Sequence, residues 1–179
     1  DVISGQILNT LVLMLTSITL AYVIAIPIGA YLAWNRGSSR EKIGVLIGLI
    51  SRSSPVFWTG LLALWFIGFH LGLLPTGGMT NATSSFDSRL AMYTSAEFLR
   101  HLILPATVQA FYYFSLPMLL MRNSMIDVLS EDYVNFAELK GLSERKVMLK
   151  HAARTATLPV VTAFALGAAR AIGASIVIE

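Results

Sequence analysis

Lys146, Lys150 and Arg154 follow one another at four-residue spacing, with Arg145 beside the first of them. On a helix that spacing lays three cations along one stripe, chemistry suited to phosphate headgroups or to an acidic protein surface. Two further cations, Arg52 and Arg170, stand in long apolar runs that hold no Asp, Glu, His or Lys. Other chemistry is scarce. There is no cysteine, which removes disulfides, thiolate metal sites and thiol nucleophiles. His70 and His101 bracket one connection without the further ligands a metal would need. No G-x-S-x-G elbow occurs, and an intramembrane hydrolase would also lack a base at depth. No G-x-x-x-x-G-K-[ST] phosphate loop occurs either, so the chain cannot itself hydrolyse ATP.

The elements that must hold these residues are apolar. Of 179 residues 55% are hydrophobic and 13% charged, and the mean hydropathy is +0.69, above the range of a soluble domain. Four runs reach the roughly 20 residues needed to cross a bilayer: 10–34, 43–69, 102–121 and 157–178. The first is too long, and lacks the basic flank, for a cleaved signal peptide. Each run carries proline or glycine, including Pro27 and Gly29, Pro55 and Gly60, Pro105 and Pro117, and Pro159 with Gly167. Small residues of this kind permit close helix packing in lipid, and neighbours re-satisfy the freed carbonyls. Trp34, Trp58, Trp65 and Tyr112-Tyr113 read as belt or packing aromatics, and Met118, Met121 and Met125 as packing.

Lys and Arg set the expected orientation. The link 35–42 holds Arg36, Arg40 and Lys42, and the segment 122–156 holds Arg122, Lys140, Arg145, Lys146, Lys150 and Arg154. The connection 70–101 holds only Arg89 and Arg100. The positive-inside bias therefore puts 35–42 and 122–156 in the cytoplasm and 70–101 outside, with both ends of the chain outside. The outer connection contains the sequon Asn81-Ala82-Thr83, a triplet that arises often by chance.

The cytoplasmic segment has its own local grammar. Ser130 is expected to cap a helix that begins with Glu131 and Asp132 and runs to about Lys140. Gly141 fits the left-handed position that ends it, and Ser143 caps a second short helix that starts at Glu144 and runs to Pro159. Leu142, Leu149 and Ala153 then form an apolar stripe beside the basic one. Such a hairpin either lies on anionic headgroups or docks a cytoplasmic partner.

The stretch DYVNFAELKGLSERKVMLKHAARTATLPVV at 132–161 resembles the cytoplasmic loop of binding-protein-dependent ABC importer permeases. That loop is marked by an Ala/Glu-rich run, here Ala137-Glu138-Leu139, then a glycine, here Gly141, and then a Leu-Pro, here Leu158-Pro159. HLILPA at 101–106, RNSMIDVL at 122–129, GLLPTGG at 72–78 and the closing GASIVIE are similar to the oligopeptide, dipeptide and nickel branch of the family.

This resemblance implies an all-α integral membrane fold, the type I (MetI-like) importer domain, with four of an expected six spanning helices present. It implies a subunit that pairs with a second permease, identical or homologous, and works with two ATP-binding cassette subunits, which hold ATP-Mg, and an extracytoplasmic substrate-binding protein. The setting is a prokaryotic cytoplasmic (inner) membrane, the cargo is peptide or alternatively nickel or another small solute, and nucleic acid has no part. Tyr133, Ala137, Glu138, Lys140, Gly141, Leu142, Ser143, Arg145, Leu158 and Pro159 would form the ATPase-coupling element. A secondary transporter is disfavoured because it would use intramembrane carboxylates. The residues add a candidate pore lining of Arg52, Ser54, Pro55 and Arg170. At about 1.5 Å per residue Arg52 lies about 14 Å and Arg170 about 20 Å from the cytoplasmic ends of their runs, and neither can face lipid cheaply.

Overall fold

A computed structural model of the chain describes residues 2–81, 84 and 86–177, with side chains placed except at 2–6, 135, 138 and 170–177. The regular structure among them is helical. The first helix, α1 (Val2–Trp34), carries Pro27 in its interior without ending there. Ser17, Ala21, Ala25, Gly29 and Ala33 recur at every fourth position, and the four with side chains are all buried. They form a groove into which another backbone can settle. The helix that settles there is α5 (Ala96–Leu129). A Cβ at Gly29 would lie 2.5 Å from the Met118 carbonyl oxygen and 2.8 Å from Met121 Cβ. Gly29 therefore marks the tightest approach of the two helices. Met118, Met121 and Met125 fill the space around it and are fully buried, the packing role expected of them.

Asn9, near the start of α1, accepts a hydrogen bond from Tyr93, just ahead of α5, while Gly29 meets the far half of α5. The two long helices thus run parallel, and the chain between them has to travel back. It does so through α2 (Ser39–Ser53) and α3 (Val56–Ala63), the latter continuing as a π-helical segment Leu64–His70. The apolar run 43–69 is not the straight helix its composition suggests. Its halves meet at 101°. The reason is local: Pro55 has no N–H to donate, and Ser54 before it is pushed out of the helical region to φ −74°, ψ 126°.

After a connection containing the short α4 (Arg89–Tyr93), α5 begins earlier than hydropathy alone indicates. Ser95 caps it by accepting from the Phe98 amide at 3.1 Å. Glu97 in its first turn accepts from the Asn81 amide at 2.5 Å and from the Ser84 hydroxyl at 2.8 Å, fastening the connection to the helix. His101 and His70 have structural partners. His101 Nδ1 lies 2.9 Å from the Glu97 carbonyl, and His70 stacks against Trp65 and Phe66. No group of three His, Asp or Glu capable of holding a metal occurs among the described residues. Ala82 and Thr83 of the sequon lie outside them.

The chain closes with α6 (Asp132–Leu139), α7 (Glu144–Lys146), a π-helical segment Val147–Ala152, and α8 (Ala153–Val177). The last helix packs across α1 and α5, with Phe164 edge-on to Tyr22 at 5.1 Å between ring centres. Among the described residues three helices are long and apolar enough to cross a membrane, and a fourth crossing results if the bent pair counts as one.

Candidate functional site

The hairpin between α5 and α8 is built differently from its sequence grammar in three respects. Ser130 does not cap α6. It closes α5 instead, its hydroxyl donating to the Asp127 carbonyl at 2.6 Å, because the Ser130 amide already serves the end of α5 and the chain has not yet left the helical region. Ser143 does stand at the start of α7, but its hydroxyl caps nothing. Its carbonyl accepts from Lys146 and Val147 at 2.8 and 3.0 Å. The third difference is larger: the second arm is not a short helix stopped at Pro159. Pro159 lies inside α8, and helix runs unbroken from Glu144 into the membrane-competent stretch ending at Ala169. Within a packed bundle one missing N–H bends a helix without ending it.

The π-helical segment explains why the expected apolar stripe fails. A straight α-helix would bury Leu149 and Ala153 on the face of Leu142. Across Val147–Ala152 the bonds reach back five residues, as in Ala153 N–H to the Met148 carbonyl, which inserts one residue into the periodicity. The buried positions become Val147, Ala152, Ala156 and Val160, spaced five, four and four, and Leu149 turns outward. Lys146, Lys150 and Arg154 remain exposed.

Gly141 adopts φ +77°, the left-handed conformation expected of it. The Leu142 amide bonds back to the Ala137 carbonyl at 3.4 Å, and Leu142 packs on the cluster of Val134, Ala137 and Val147. This is a Schellman ending with its apolar contact. A Cβ at Gly141 would touch nothing within 4 Å, so the backbone angle and not crowding within this chain demands glycine.

That cluster divides α6 into two faces. Val134 and Ala137 face inward, so Ala137 supports the element from beneath. Tyr133, Phe136 and Leu139 face outward, with Phe136 63% and Leu139 83% exposed. Lys140, Ser143 and Arg145 are exposed beside them, and Leu142 is half-buried. The side chain of Glu138 lies outside the described ones. Tyr133 also donates to the Thr155 hydroxyl at 3.1 Å, joining α6 to α8. Leu158 and Pro159 are exposed farther along α8, away from this corner.

Three of the four candidate pore-lining residues, Arg52, Ser54 and Pro55, sit together at the break between α2 and α3. Arg52 is exposed one residue before the end of α2, beside the break at Ser54 and Pro55. Its guanidinium carbon lies 5.5 Å from the centre of the Tyr112 ring on α5, a cation–π contact, and it has no hydrogen bond or ion pair among the described residues. Ser54 donates to the Ile50 carbonyl at 2.9 Å. The side chain of Arg170 lies outside the described ones.

One ion pair was not legible as such. Arg122 binds Glu41 through both Nε, at 2.8 Å, and Nη2. Glu41 is 6% exposed and also accepts from the Gly37 amide at 2.6 Å, which sits at φ +82°. The charge count treats Arg36–Lys42 and Arg122 as separate basic segments; 81 residues of separation hide that they meet at one end of the bundle.

Residues 25–179 match the family described as binding-protein-dependent transport system inner membrane component. The chain is 37% identical over 180 residues, 100% of its length and 54% of the relative's, to the oligopeptide transport system permease protein AppB of Bacillus subtilis (strain 168). It is 30% identical over 184 residues, 95% of its length and 54% of the relative's, to the dipeptide transport system permease protein DppB of Escherichia coli (strain K12). It is 34% identical over 177 residues, 99% of its length and 52% of the relative's, to the glutathione transport system permease protein GsiC of Salmonella choleraesuis (strain SC-B67). The chain thus spans about half the length of the curated relatives it matches, and these are transport permeases rather than enzymes. With its several apolar helices and this match, it is a multi-pass membrane protein, and it belongs to the binding-protein-dependent transport system inner membrane component family.

Proposed function

We propose that this chain forms the membrane-spanning part of one permease subunit in an ATP-driven importer of peptides, and that the α6 corner receives a cytoplasmic ATP-binding subunit. The observation that carries the reading is the outward face of α6. Tyr133, Phe136 and Leu139 expose aromatic and aliphatic surface together on the charged hairpin between α5 and α8. Exposed apolar groups in water mark a protein contact. The face is held from below by Val134, Ala137 and Val147 and joined to a continuous helix that enters the membrane. ATP-Mg belongs to the partner, a second permease completes the pore, and an extracytoplasmic binding protein delivers cargo. The corner and the link 35–42 are cytoplasmic in this reading, and the chain's first residues are outside. Peptide is the cargo that the names of the relatives favour, and a lone exposed Arg52 suits a carboxylate better than a nickel cation. The test is co-purification: Phe136→Asp and Leu139→Asp in the full-length subunit should each release the ATP-binding subunits, while Leu90→Asp, on the exposed surface of α4, keeps them. Retention of the ATPase by both α6 variants refutes the assignment.

A further inference from the structure

The helix that begins at Glu144 keeps one face away from the bundle. Ala156 and Val160 are buried, and on the opposite side Lys150, Arg154, Leu158, Val161 and Ala165, spaced four, four, three and four, are all exposed. The line is cationic in its first two members and apolar in the last three. Neither cation forms an ion pair among the described residues, and Glu144 is the only acid between 144 and 169. Register with the other helices sets the depth of this line. Tyr22 on α1 meets Phe164. Seven residues after Tyr22, Gly29 stands against Met121, whose sulfur also accepts from Thr157, seven residues before Phe164. Helices α1 and α8 therefore run antiparallel in step, which puts Arg154 level with Tyr31 and Leu32. There the Tyr31 hydroxyl accepts from Arg40 at 3.1 Å, an aromatic and cationic pairing suited to a membrane edge. The count from the other end agrees. From Leu158 to Val177 the helix rises about 30 Å, one hydrocarbon thickness, with Arg154 about 6 Å below its edge and Lys150 about 12 Å.

We propose that this face binds an acidic phospholipid, its phosphate held between Lys150 and Arg154 and an acyl chain laid along Leu158, Val161 and Ala165. The two cations stand one turn, about 6 Å, apart, so both long side chains can reach one phosphate. An acidic protein surface would satisfy the cations but not the rest of the line. Leu158, Val161 and Ala165 lie within the hydrocarbon thickness, where a soluble partner does not reach, whereas a phospholipid carries an anion and an apolar chain across that boundary. A zwitterionic headgroup brings its own cation to the same place, so the face selects for net negative charge. The assignment rests on α8 crossing the membrane, and neither on the importer reading nor on which side the hairpin occupies.

The test uses the full-length subunit, assembled with its partner permease and ATP-binding subunits in phosphatidylcholine nanodiscs. A trace of phosphatidylglycerol or phosphatidylcholine carrying a diazirine in its acyl chain is added, and photolabelling of residues 158–165 is read by mass spectrometry. Each cation near the membrane surface favours an acidic lipid by a factor of about five. The phosphatidylglycerol probe should therefore label these residues about 25-fold more than the phosphatidylcholine probe. Lys150→Gln and Arg154→Gln should each lower that preference about fivefold, and together abolish it. Arg89→Gln with Arg100→Gln, which removes the same charge from exposed positions in the connection 70–101, should leave it intact. Equal labelling by both probes, or a preference indifferent to the Lys150 and Arg154 changes, overturns the proposal. So does an equal fall in the Arg89 and Arg100 variant, which would make the preference one of net charge. Absence of labelling by either probe overturns it too, because protein then covers the face. Loss of the ATP-binding subunits from the Lys150 and Arg154 double variant, with lipid preference unchanged, assigns the cations to that partner instead.

Discussion

Gly29→Ala tests whether the crossing of α1 and α5 is what holds the bundle together. The added Cβ would stand 2.5 Å from the Met118 carbonyl oxygen, and the closest ordinary contact is 3.4 Å, so the helices must part by about 0.9 Å at this point. The obstacle is backbone, which cannot rotate away as a side-chain terminus can. Overpacking of this kind costs about 1–3 kcal/mol, and the gain in helix propensity on replacing glycine returns about 1 kcal/mol of it. The net expectation is a loss of about 0–2 kcal/mol, which leaves Gly29→Ala about 1–3 kcal/mol below an unopposed glycine-to-alanine change, and a larger loss for Gly29→Val. Gly167→Ala is the control, since a Cβ there meets nothing within 4 Å and the propensity gain stands unopposed. The assay is reversible unfolding of the full-length subunit in mixed micelles by increasing the denaturing detergent fraction, read by far-UV circular dichroism. If Gly29→Ala and Gly167→Ala unfold at the same detergent fraction, Gly29 is not a point of obligatory close approach and the reasoning fails.

Four further outcomes are expected. Gly141→Val should abolish ATP-coupled uptake while leaving membrane insertion intact, because a β-branched residue at φ +77° is strained by about 1–3 kcal/mol; normal coupling in the variant contradicts this. Arg52→Gln should lower uptake of peptides with a free C-terminus more than that of amidated ones, whereas equal loss for both leaves Arg52 only its packing on Tyr112. Glu41→Gln and Arg122→Gln should each destabilise the subunit, and the double variant should lose no more than the worse single one, because either change breaks the same pair; simple additivity would show that the pair is not coupled. Single cysteines replacing Ser38 and Ser143 should resist an impermeant thiol reagent added outside intact cells while Ser84→Cys reacts, and labelling of Ser143→Cys from outside inverts the topology.

What the sequence disclosed is what short-range rules govern. The left-handed Gly141, the packing role of the methionines, and Gly29 as a contact glycine each follow from a few neighbouring residues. Hydropathy located the apolar runs because lipid imposes length and composition directly. The failures share a cause. The 101° turn at Ser54-Pro55 and the passage of α8 through Pro159 present the same local signal, a proline in an apolar run. Ser54 leaves the helical region while α8 continues, and only tertiary surroundings separate the two outcomes. The π-helical segment was hidden because one inserted residue moves the buried face without changing composition. The Glu41–Arg122 pair was hidden because charge counting treats each basic segment alone. Its acid sits among three cations in 36–42 and reads there as partial neutralisation.

These hidden features bear on how the proposed corner would act on the membrane helices. A hairpin joined to α8 by flexible loop could move without displacing it. Here α6 rests on Val147, the first residue of the π-helical segment, and is tied by Tyr133 to Thr155, just past that segment's end. From Thr155 the helix continues to the core positions Ala156 and Val160, which share a cluster with Met121, Met125 and Tyr22. A push on the Phe136–Leu139 face therefore reaches α1 and α5 through side chains already in contact, and close-packed interiors transmit displacement instead of absorbing it. The Glu41–Arg122 pair works the same end of the bundle from the other side, anchoring the start of α2 to α5. The far end of α2 is held to α5 as well, with Ser51 buried and Arg52 over the Tyr112 ring.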